Sequence, residues 1–363
     1  MHLNKNHKKE KIGLTILLFI CVFLFCICVY ANKTYDKIRV KKNTQATQIK
    51  NKKSEIDKIL REKDEKNQLT PEELQAQEEE SVYDFMEANV QPLENSNDVF
   101  NILLVGTDER GDVPGARSDS MLVASINNKN NTISITSFMR DMYVKIPGYG
   151  KAKLNAAYAY GGADLLKETL YQNFNLPVDR FVQIDFKSFI DIFNDLGGVQ
   201  VNISELERKE MNKVIDEINY INNRPWGTNN ISSSGNVTLE NGDQALAYAR
   251  IRHVGNSDFE RTERQRILLT KTFNNVKEKN ILEINKLLQK ALPLISTDMS
   301  QGECFSMILS LGKYKTYNID SFRIPIDGSF SSSWVKRQQV LMVDFNKNID
   351  FIKNNIYTEK EEQ

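Results

Sequence analysis

The sequence predicts a layered α/β domain that follows a single N-terminal transmembrane helix. Residues 12–31 form a run of twenty residues without a charge. At about 1.5 Å per residue, a helix of this length spans roughly 30 Å, the thickness of a bilayer core. Beyond residue 98, short apolar runs alternate with segments of helical periodicity. Such interleaving is typical of strands and helices that pack in layers.

The apolar run is predicted to remain attached to the protein. It is longer than the apolar region of a cleavable signal peptide, and no small-residue cleavage site follows it. Four lysines and one glutamate lie within residues 1–11, which favours a cytoplasmic tail. Five basic residues and one aspartate lie within residues 32–42. The positive-inside rule alone therefore does not fix the orientation.

Composition excludes several classes of function. The net charge is zero, with 48 basic and 48 acidic residues, so no global field would attract nucleic acid and any anion site must be local. Three of the four cysteines lie in the apolar run, and Cys304 alone cannot form an intramolecular disulfide or a thiolate metal site. With three histidines in the chain, a histidine-rich metal site is also excluded. For Cys304 we expect buried packing.

The chain divides by composition into a spacer, a folded domain and a tail. Residues 32–97 are rich in charges of both signs, as in a solvated spacer that holds a domain away from a membrane. A weak amphipathic helix or a short coiled coil within this spacer remains an alternative. Residues 98–353 form the predicted folded domain, and residues 354–363 form a polar tail.

The predicted elements of the folded domain follow one another in a clear order. VFNILLVG is an apolar run that ends in glycine, and SMLVASIN and TISITSF are two further strands joined by an asparagine-rich turn. Two helices follow, LNAAYAYGGADLLKETLYQNF and KSFIDIFNDL, the second ended by Gly197 and Gly198. VQVNI is a strand, DQALAYARIR is a helix, and a longer helix is predicted over 258–279. The remainder alternates more weakly.

Arginines are concentrated in one segment of the domain. Five of the fifteen arginines fall within residues 250–266, although the chain uses lysine about twice as often. They are Arg250, Arg252, Arg261, Arg264 and Arg266. The guanidinium group presents a planar fork of donors that matches two phosphate oxygens at once. The cluster therefore predicts a site for a phosphate or a diphosphate.

Three successive strand boundaries each carry an acid. Asp108 follows the first strand, Asp119 begins the second, and Asp141 follows the third; Arg117 and Arg140 lie beside the latter two. Ligands in α/β sheets bind where strands end, and acids combined with arginines suit Mg²⁺-assisted phosphoryl chemistry. Each pair alone also fits a local ion pair or a turn, and the chain has no Walker A motif. The prediction of a phosphoryl-transfer site therefore depends on the number of acids and arginines at strand boundaries, and not on any single pair.

Five blocks of this sequence together resemble the LytR-CpsA-Psr family. They are NILLVGTDER, ARSDSMLVASIN, SITSFMRDMYVKIPGYGKAKLNAAYAYGG, DLGGVQVNI, and LENGDQALAYARIR with DFERTERQR, which cover residues 98–279. The resemblance implies an α-β-α sandwich with a mixed central sheet, anchored in the cell membrane by one span, with the catalytic domain extracellular. It also implies transfer of a glycopolymer, such as teichoic acid or capsule, from a polyprenyl-diphosphate carrier to a peptidoglycan acceptor.

The same resemblance implies roles for individual residues. Asp119 matches the family's principal Mg²⁺-associated aspartate, and Asp108 matches the second carboxylate nearby. The matches to groups that hold the carrier's diphosphate are Arg117, Arg140, Arg250, Arg252, Arg261 and Gln265, with Lys153 and Asn155 at the Lys-x-Asn position. Asp108 or Asp141 could orient or deprotonate the attacking hydroxyl. Met139 departs from the family pattern, because Ser-Phe-Met-Arg stands where Ser-Ile-Pro-Arg is usual.

Two other classes of function remain open from the sequence. A polyprenyl-diphosphate phosphohydrolase would use the same residues with water as the nucleophile, and a lipid-binding or regulatory envelope protein would need no chemistry. A role in transcription fits poorly with a membrane anchor, zero net charge and no helix-turn-helix placement of the arginines. The carrier chain needs an apolar slot, and the helices at 186–196 and 267–276 are candidates, although their side chains also suit ordinary core packing.

Overall fold

The computed structural model describes residues 39–40, 98–107, 118–255 and 258–359. The predicted membrane helix at 12–31, nearly all of the spacer and residues 360–363 lie outside these ranges. Among the residues that are described, none forms a helix long and apolar enough to cross a bilayer.

The centre of the fold is a seven-stranded mixed sheet. The strands of the described chain are β1 (Arg39–Val40), β2 (Val99–Thr107), β3 (Ser118–Asn127), β4 (Thr132–Phe138), β5 (Tyr143–Ile146), β6 (Gly150–Lys153), β7 (Arg180–Asp185), β8 (Val199–Ile203), β9 (Gly235–Leu239), β10 (Ser296–Thr297), β11 (Asn318–Ile324), β12 (Phe330–Val335) and β13 (Gln338–Val343). Their order in the sheet is β1-β10-β7-β2-β3-β4-β11. The remaining strands form three hairpins, β5-β6, β8-β9 and β12-β13.

The direction of the strands brings four strand ends to one edge of the sheet. β2 runs parallel to β7 and antiparallel to β3, and β4 runs antiparallel to β3 and parallel to β11. The carboxyl ends of β2, β7, β4 and β11 therefore lie together with the beginning of β3. Ligand sites of α/β sheets form at such an edge.

Helices cover both faces of the sheet. They are α1 (Leu154–Phe174), α2 (Phe186–Leu196), α3 (Glu205–Ile221), α4 (Gly242–Arg250), α5 (Asp258–Glu278), α6 (Ile281–Ala291), α7 (Gln301–Tyr314) and α8 (Phe345–Ile352). Leu103 and Val105 of β2 pack in a core that contains residues of α1 and α8. Ile102 and Leu104 alternate with them and pack on the opposite side with residues of α5 and α7. The predicted α/β class with a mixed central sheet is confirmed.

Local sequence explains where several helices begin and end. Asp185 caps α2 by accepting a hydrogen bond from the Ser188 amide at 2.7 Å. Ser204 and Glu207 form a capping box at the start of α3. Gly197 ends α2 with φ 92°, a conformation that favours glycine. The predicted glycine stop is therefore present.

A second apolar core lies beside the sheet and contains no described residue of the seven strands. It joins α2, α3 and α4 with the β8-β9 hairpin, and its largest buried members include Phe193, Met211, Leu239 and Tyr248. VQVNI was predicted as a strand and is β8, but it belongs to this hairpin and not to the main sheet. Two separate cores leave room for a cavity between them.

We predict that Gly242→Ala destabilises the fold because α2 and α4 approach closely there. An ideal Cβ at Gly242 would lie 2.3 Å from the carbonyl oxygen of Ile190 and 2.5 Å from its Cα. Backbone atoms cannot move aside as a side chain can, so we expect the free energy of unfolding to fall by about 1–3 kcal/mol. Urea denaturation followed by circular dichroism measures it. Gly302→Ala is the control, since its Cβ would meet nothing within 4 Å. Equal stability of the two variants would refute the close approach.

Candidate active site

An apolar slot of 570 Å³ lies between the central sheet and the second core. Its apolar walls come from β2, β3 and β7 on one side and from α2, α4 and α5 on the other. The main contributors are Leu104, Leu122, Val182, Ile184, Phe189, Ile192, Phe193, Leu246, Leu268 and Leu269. Both helices predicted to line such a slot do so. Its volume and its apolar lining are typical of a site for a small or extended apolar ligand.

Polar side chains gather at one part of the slot, which we call the mouth. The residues of the mouth are Ser120, Arg250, Arg252, Arg261 and Gln265, and the acids Asp185, Glu210 and Glu217 also line the slot. Gln265 Oε1 accepts a hydrogen bond from Ser120 Oγ at 3.1 Å, and Gln265 Nε2 donates to the Ala249 carbonyl at 3.2 Å. Ser120 pairs with Gly106 near the end of β2. The mouth therefore lies at the edge of the sheet where the strand ends meet.

Arg250 is held against an aromatic ring at the mouth. Its guanidinium carbon lies 4.9 Å from the centroid of the Phe186 ring, and its Nη2 lies 3.9 Å from Glu217 Oε2. A guanidinium group over an aromatic face gains a cation–π attraction that also fixes its orientation. α4 ends at Arg250, so Arg252 lies in the segment beyond the helix.

A single, partly buried carboxylate connects three of the predicted arginines. Asp258 lies 2.8 Å from Arg140 Nε, 3.4 Å from Arg261 Nη1 and 3.7 Å from Arg252 Nε. Its burial raises its pKa, but the charges of Arg261, Arg140 and Arg252 outweigh that effect and hold the pKa below its ordinary value. Three cations thus surround one anion, and the excess of positive charge suits an anionic ligand.

The turn after β4 is held by the residues of the predicted Lys-x-Asn position. Lys153 Nζ donates to Asp141 Oδ1 at 2.7 Å, and Arg140 Nε lies 3.5 Å from Asp141 Oδ2. The backbone amide of Asn155 donates to the Arg140 carbonyl at 3.2 Å. Lys153 and Asn155 support this turn and do not line the slot. Their contact with a diphosphate remains a prediction.

Met139 has a structural role where the family usually has proline. Its backbone amide donates to the Ile324 carbonyl at 2.9 Å, and its side chain is 2% exposed. Proline has no amide hydrogen and could not make this bond. The bond ties the segment before Arg140 to the end of β11.

Arg264 belongs to the sequence cluster but not to the mouth. It donates to Glu207 at 2.8 Å, to the Ile251 carbonyl at 3.1 Å and to Glu260 at 3.0 Å. Burial raises the pKa of Glu207, but hydrogen bonds from the Ser204 backbone and Arg264 lower it below its ordinary value. Arg264 therefore fixes α5 against α3 and against the segment that carries Arg252.

Arg266 is also occupied within the fold. Its Nη1 donates to Ser137 Oγ at the end of β4, and burial lowers its pKa to about 10. Two of the five clustered arginines thus position α5. Neither Arg264 nor Arg266 lines the slot, and each donates to a protein group.

Asp119 occupies an irregular position of the sheet. Thr107 pairs with Ser118 while Gly106 pairs with Ser120, so Asp119 is the extra residue of a β-bulge. Bulges are over-represented beside active sites. Asp108 and Arg117 lie outside the described residues.

The predicted metal site involves residues whose side chains the structure does not describe. Within residues 98–107, 118–255 and 258–359, no group of three or more histidine, cysteine, aspartate or glutamate side chains is placed to hold a metal ion. The binding of Mg²⁺ by Asp108 and Asp119 therefore stays a prediction.

Three contacting residues were not anticipated from the sequence. They are Asp258, which holds the arginines, Phe186, which supports Arg250, and Ser120, which bonds Gln265. Asp258 lies three residues before Arg261 in a helix, and this spacing places an acid beside an arginine. Phe186 and Ser120 are distant in sequence from their partners, so no local pattern identifies them.

Comparison with known proteins identifies similar chains. Residues 41–355 match the LytR_cpsA_psr family. A Bacillus cereus relative, named polyisoprenyl-teichoic acid--peptidoglycan teichoic acid transferase TagU, is 32% identical over 231 residues, which are 63% of this chain and 69% of the relative. The crystal structure of B. subtilis TagV is similar with a TM-score of 0.56 and 26% identity, over 72% of this chain and 99% of that chain. The structure of TagT bound to LI-WTA is similar with a TM-score of 0.57 and 25% identity, over 74% of this chain and 93% of that chain.

We predict that Asp258→Asn weakens the fold by about 3 kcal/mol, since three arginines lose their shared, partly buried counter-charge. A carboxyl with a lowered pKa stabilises the folded state above its ordinary value of 3.8, and this contribution is lost as the pH falls through its folded value. The stability difference from wild type should therefore be largest at neutral pH and shrink below pH 3.8. Denaturation curves across pH measure it.

The control for this experiment is Asp327→Asn. Asp327 also pairs with an arginine, but its side chain is 93% exposed, so its loss should change stability by less than about 1 kcal/mol. A difference for Asp258→Asn that does not depend on pH would contradict the electrostatic role.

Proposed function

The chain belongs to the LytR_cpsA_psr family, and from this premise we propose that it is a phosphotransferase of the cell envelope. It moves a glycopolymer, such as teichoic acid or capsule, from a polyprenyl-diphosphate carrier to peptidoglycan and forms a phosphodiester. The observation that carries this proposal is an apolar slot of 570 Å³ whose mouth presents three arginines at the strand ends of the sheet. The name of the Bacillus cereus relative, a teichoic acid transferase, supports the same activity.

The slot and its mouth match the two halves of the carrier. A polyprenyl chain is apolar and long, and the walls formed by α2, α5 and the sheet offer it an apolar surface removed from water. The diphosphate is anionic and would lie at Arg250, Arg252 and Arg261. Arg261 is 2% exposed, and charges act more strongly where water is excluded.

The arginines also favour the departure of the carrier. An acceptor hydroxyl of a wall sugar attacks the phosphorus nearest the glycopolymer, and a new phosphorus–oxygen bond forms. The bond from that phosphorus to the bridging oxygen breaks, and polyprenyl phosphate leaves with the electron pair. Arg140, Arg250, Arg252 and Arg261 stabilise the negative charge that develops on this leaving group.

The proton of the attacking hydroxyl passes to a carboxylate of the site. We assign this role to Asp141, which lies at the strand ends and whose carboxylate contacts Lys153 at 2.7 Å and Arg140 at 3.5 Å. Asp108 is the alternative base from the family resemblance. Replacing each by asparagine and recording the rate against pH distinguishes them, since only the base's removal abolishes the acidic limb of the profile.

We also propose Mg²⁺ as the cofactor, held by Asp119 and Asp108. Asp119 is the extra residue of the bulge opposite Thr107, and Asp108 directly follows Thr107 in the sequence. Carboxylate oxygens are hard donors that suit this ion. When bound, Mg²⁺ would supply further neutralisation of phosphate charge.

The proposed location is the cell membrane, with the N-terminus cytoplasmic and the catalytic domain outside. The charge-free run at 12–31 and the polar segment at 32–97 support an anchor and a spacer. Both the carrier lipid and peptidoglycan are then within reach of the same domain.

A transfer assay tests the proposed activity. The full-length chain in detergent is incubated with a polyprenyl-diphosphate glycan, Mg²⁺ and peptidoglycan oligomers, and mass spectrometry detects the linked phosphodiester. We expect product from wild type and from Asp327→Ala, and a loss of about 100-fold or more from Asp119→Ala and Arg252→Ala. A chelator should abolish transfer, and added Mg²⁺ should restore it.

The other outcomes identify the rival functions. Released phosphoglycan without linkage would establish a phosphohydrolase. Lipid binding without turnover, unchanged in Asp119→Ala and Arg252→Ala, would leave a lipid-binding protein.

If the polyprenyl chain lies in the slot, an obstruction deep in the slot should lower the affinity for carriers with long chains only. Gln265, Leu268, Leu269 and Thr272 line it from one face of α5, and Thr272 lies about 10 Å along the helix from Gln265. We expect Thr272→Trp to obstruct the slot beyond the mouth. Binding of a long polyprenyl diphosphate should weaken about tenfold or more, while a carrier with a short chain should bind as to wild type.

The matched control is Lys271→Trp. It adds the same side chain at the residue directly before Thr272, which is exposed and does not line the slot. Calorimetric titration with both carriers measures the affinities. Equal loss for long and short chains would contradict the position of the chain in the slot.

A further inference from the structure

The β12-β13 hairpin lies directly beside Asp141 but outside the slot. The Leu341 amide donates to the Asp141 carbonyl at 2.9 Å, and Met142 forms a parallel bridge with Leu341. None of the described residues that line the slot belongs to this hairpin. The hairpin therefore adjoins the proposed site on a side that the carrier chain does not occupy.

One face of the hairpin is buried near the site, through Leu341 and Val343, and is exposed toward the turn. Phe330, Ser332 and Trp334 alternate along β12 and so share this face, and Gln339 is the cross-strand partner of Trp334. At the inner end, the Phe330 ring stacks on Phe259 with centroids 5.3 Å apart, next to Asp258. At the outer end Trp334 is 54% exposed, about 13 Å along the strand from Phe330.

The hairpin holds this face rigidly. Its opposite face buries Val335, Val340 and Met342 in a small core of their own. The two turn residues, Lys336 and Arg337, both have positive φ, 47° and 61°, as in the tight turn that matches the twist of paired strands. A large aromatic side chain, Trp334, is thus presented to solvent from a fixed platform.

We propose that this face of the hairpin binds the glycan strand of the peptidoglycan acceptor, a proposal that rests on the proposed transferase function. Sugar rings present apolar C–H faces that pack on an indole, and hydroxyl and acetamido groups that bond to serine and glutamine. Trp334, Ser332 and Gln339 supply this chemistry without a negative charge. Lys336 and Arg337 at the turn suit the carboxylates of peptide stems.

The stereochemistry of phosphoryl transfer agrees with this position. The attacking and leaving oxygens lie roughly in line on opposite sides of the phosphorus. The leaving polyprenyl phosphate occupies the slot, so the acceptor hydroxyl arrives from the side away from it, where the hairpin adjoins Asp141. The acceptor oxygen bonds to phosphorus as the bridging bond breaks, and its proton passes to the carboxylate.

Binding can be measured without catalysis because the chain has two tryptophans. In the full-length Trp226→Phe variant, Trp334 is the sole tryptophan; Trp334→Phe retains only Trp226, which is 74% exposed. Chitotetraose and soluble peptidoglycan strands are titrated into each variant. We expect a saturable change of tryptophan emission in Trp226→Phe and none in Trp334→Phe.

Other ligands test the other occupants of the same face. Phospholipid vesicles that shift Trp334 emission while glycans do not would assign the hairpin to the membrane. If poly(glycerol phosphate) shifts Trp334 emission and the glycans do not, the hairpin face binds the donor polymer. Either result overturns the proposal, as does an emission change confined to Trp226.

Transfer kinetics give an independent readout. We expect Trp334→Ala to raise the KM for the acceptor about tenfold, with kcat and carrier affinity within about twofold of wild type, and Trp334→Phe to recover most of the loss. Trp226→Ala should leave all three unchanged. If Trp334→Ala has the acceptor KM of wild type, the hairpin does not bind the acceptor glycan, even if transfer occurs. If glycan binds at Trp334 but no transfer occurs, glycan binding by the hairpin stands and the proposed transferase function is contradicted.

Discussion

The arrangement of the site depends on one partly buried carboxylate, that of Asp258. Guanidinium groups repel one another, and Arg140, Arg252 and Arg261 come from three different segments. Asp258 brings them within 2.8–3.7 Å of a common partner. Burying a carboxylate alone is unfavourable, and the three cations offset that penalty. Arg140 also contacts Asp141, which pairs with Lys153, so the connected group holds four cations and two carboxylates. The remaining excess of two positive charges suits a diphosphate.

The position of Asp258 also links the layers of the fold. It begins α5, where the helix dipole favours an acid, and it reaches the turn after β4 through Arg140. Arg264 and Arg266, farther along α5, fix the same helix to Glu207 of α3 and to Ser137 of β4. α5 is thereby held at a fixed distance from the sheet. The slot lies between the sheet and residues of the second core.

Much of the fold and of the mouth could be predicted from local sequence. β2, β3 and β4 follow from apolar runs and turn residues, and Arg250, Arg252, Arg261 and Gln265 do line the mouth. Contacts between distant residues could not be predicted. Arg261 and Arg264 are alike in sequence, yet Arg264 is removed from the mouth by Glu207, 57 residues away. β8 has the pattern of a sheet strand, but its partner is set by β9 and not by its own residues.

A transferase and a phosphohydrolase need the same slot and the same arginines, so neither feature separates them. The difference must lie where the nucleophile arrives. Water needs no binding surface, whereas a sugar hydroxyl competes with water only if its ring is held beside the phosphorus. The hairpin beside Asp141 provides a rigid surface there, with the indole of Trp334, the hydroxyl of Ser332 and the amide of Gln339 along one face. Such a surface has no use in hydrolysis, and its chemistry favours transfer to a glycan.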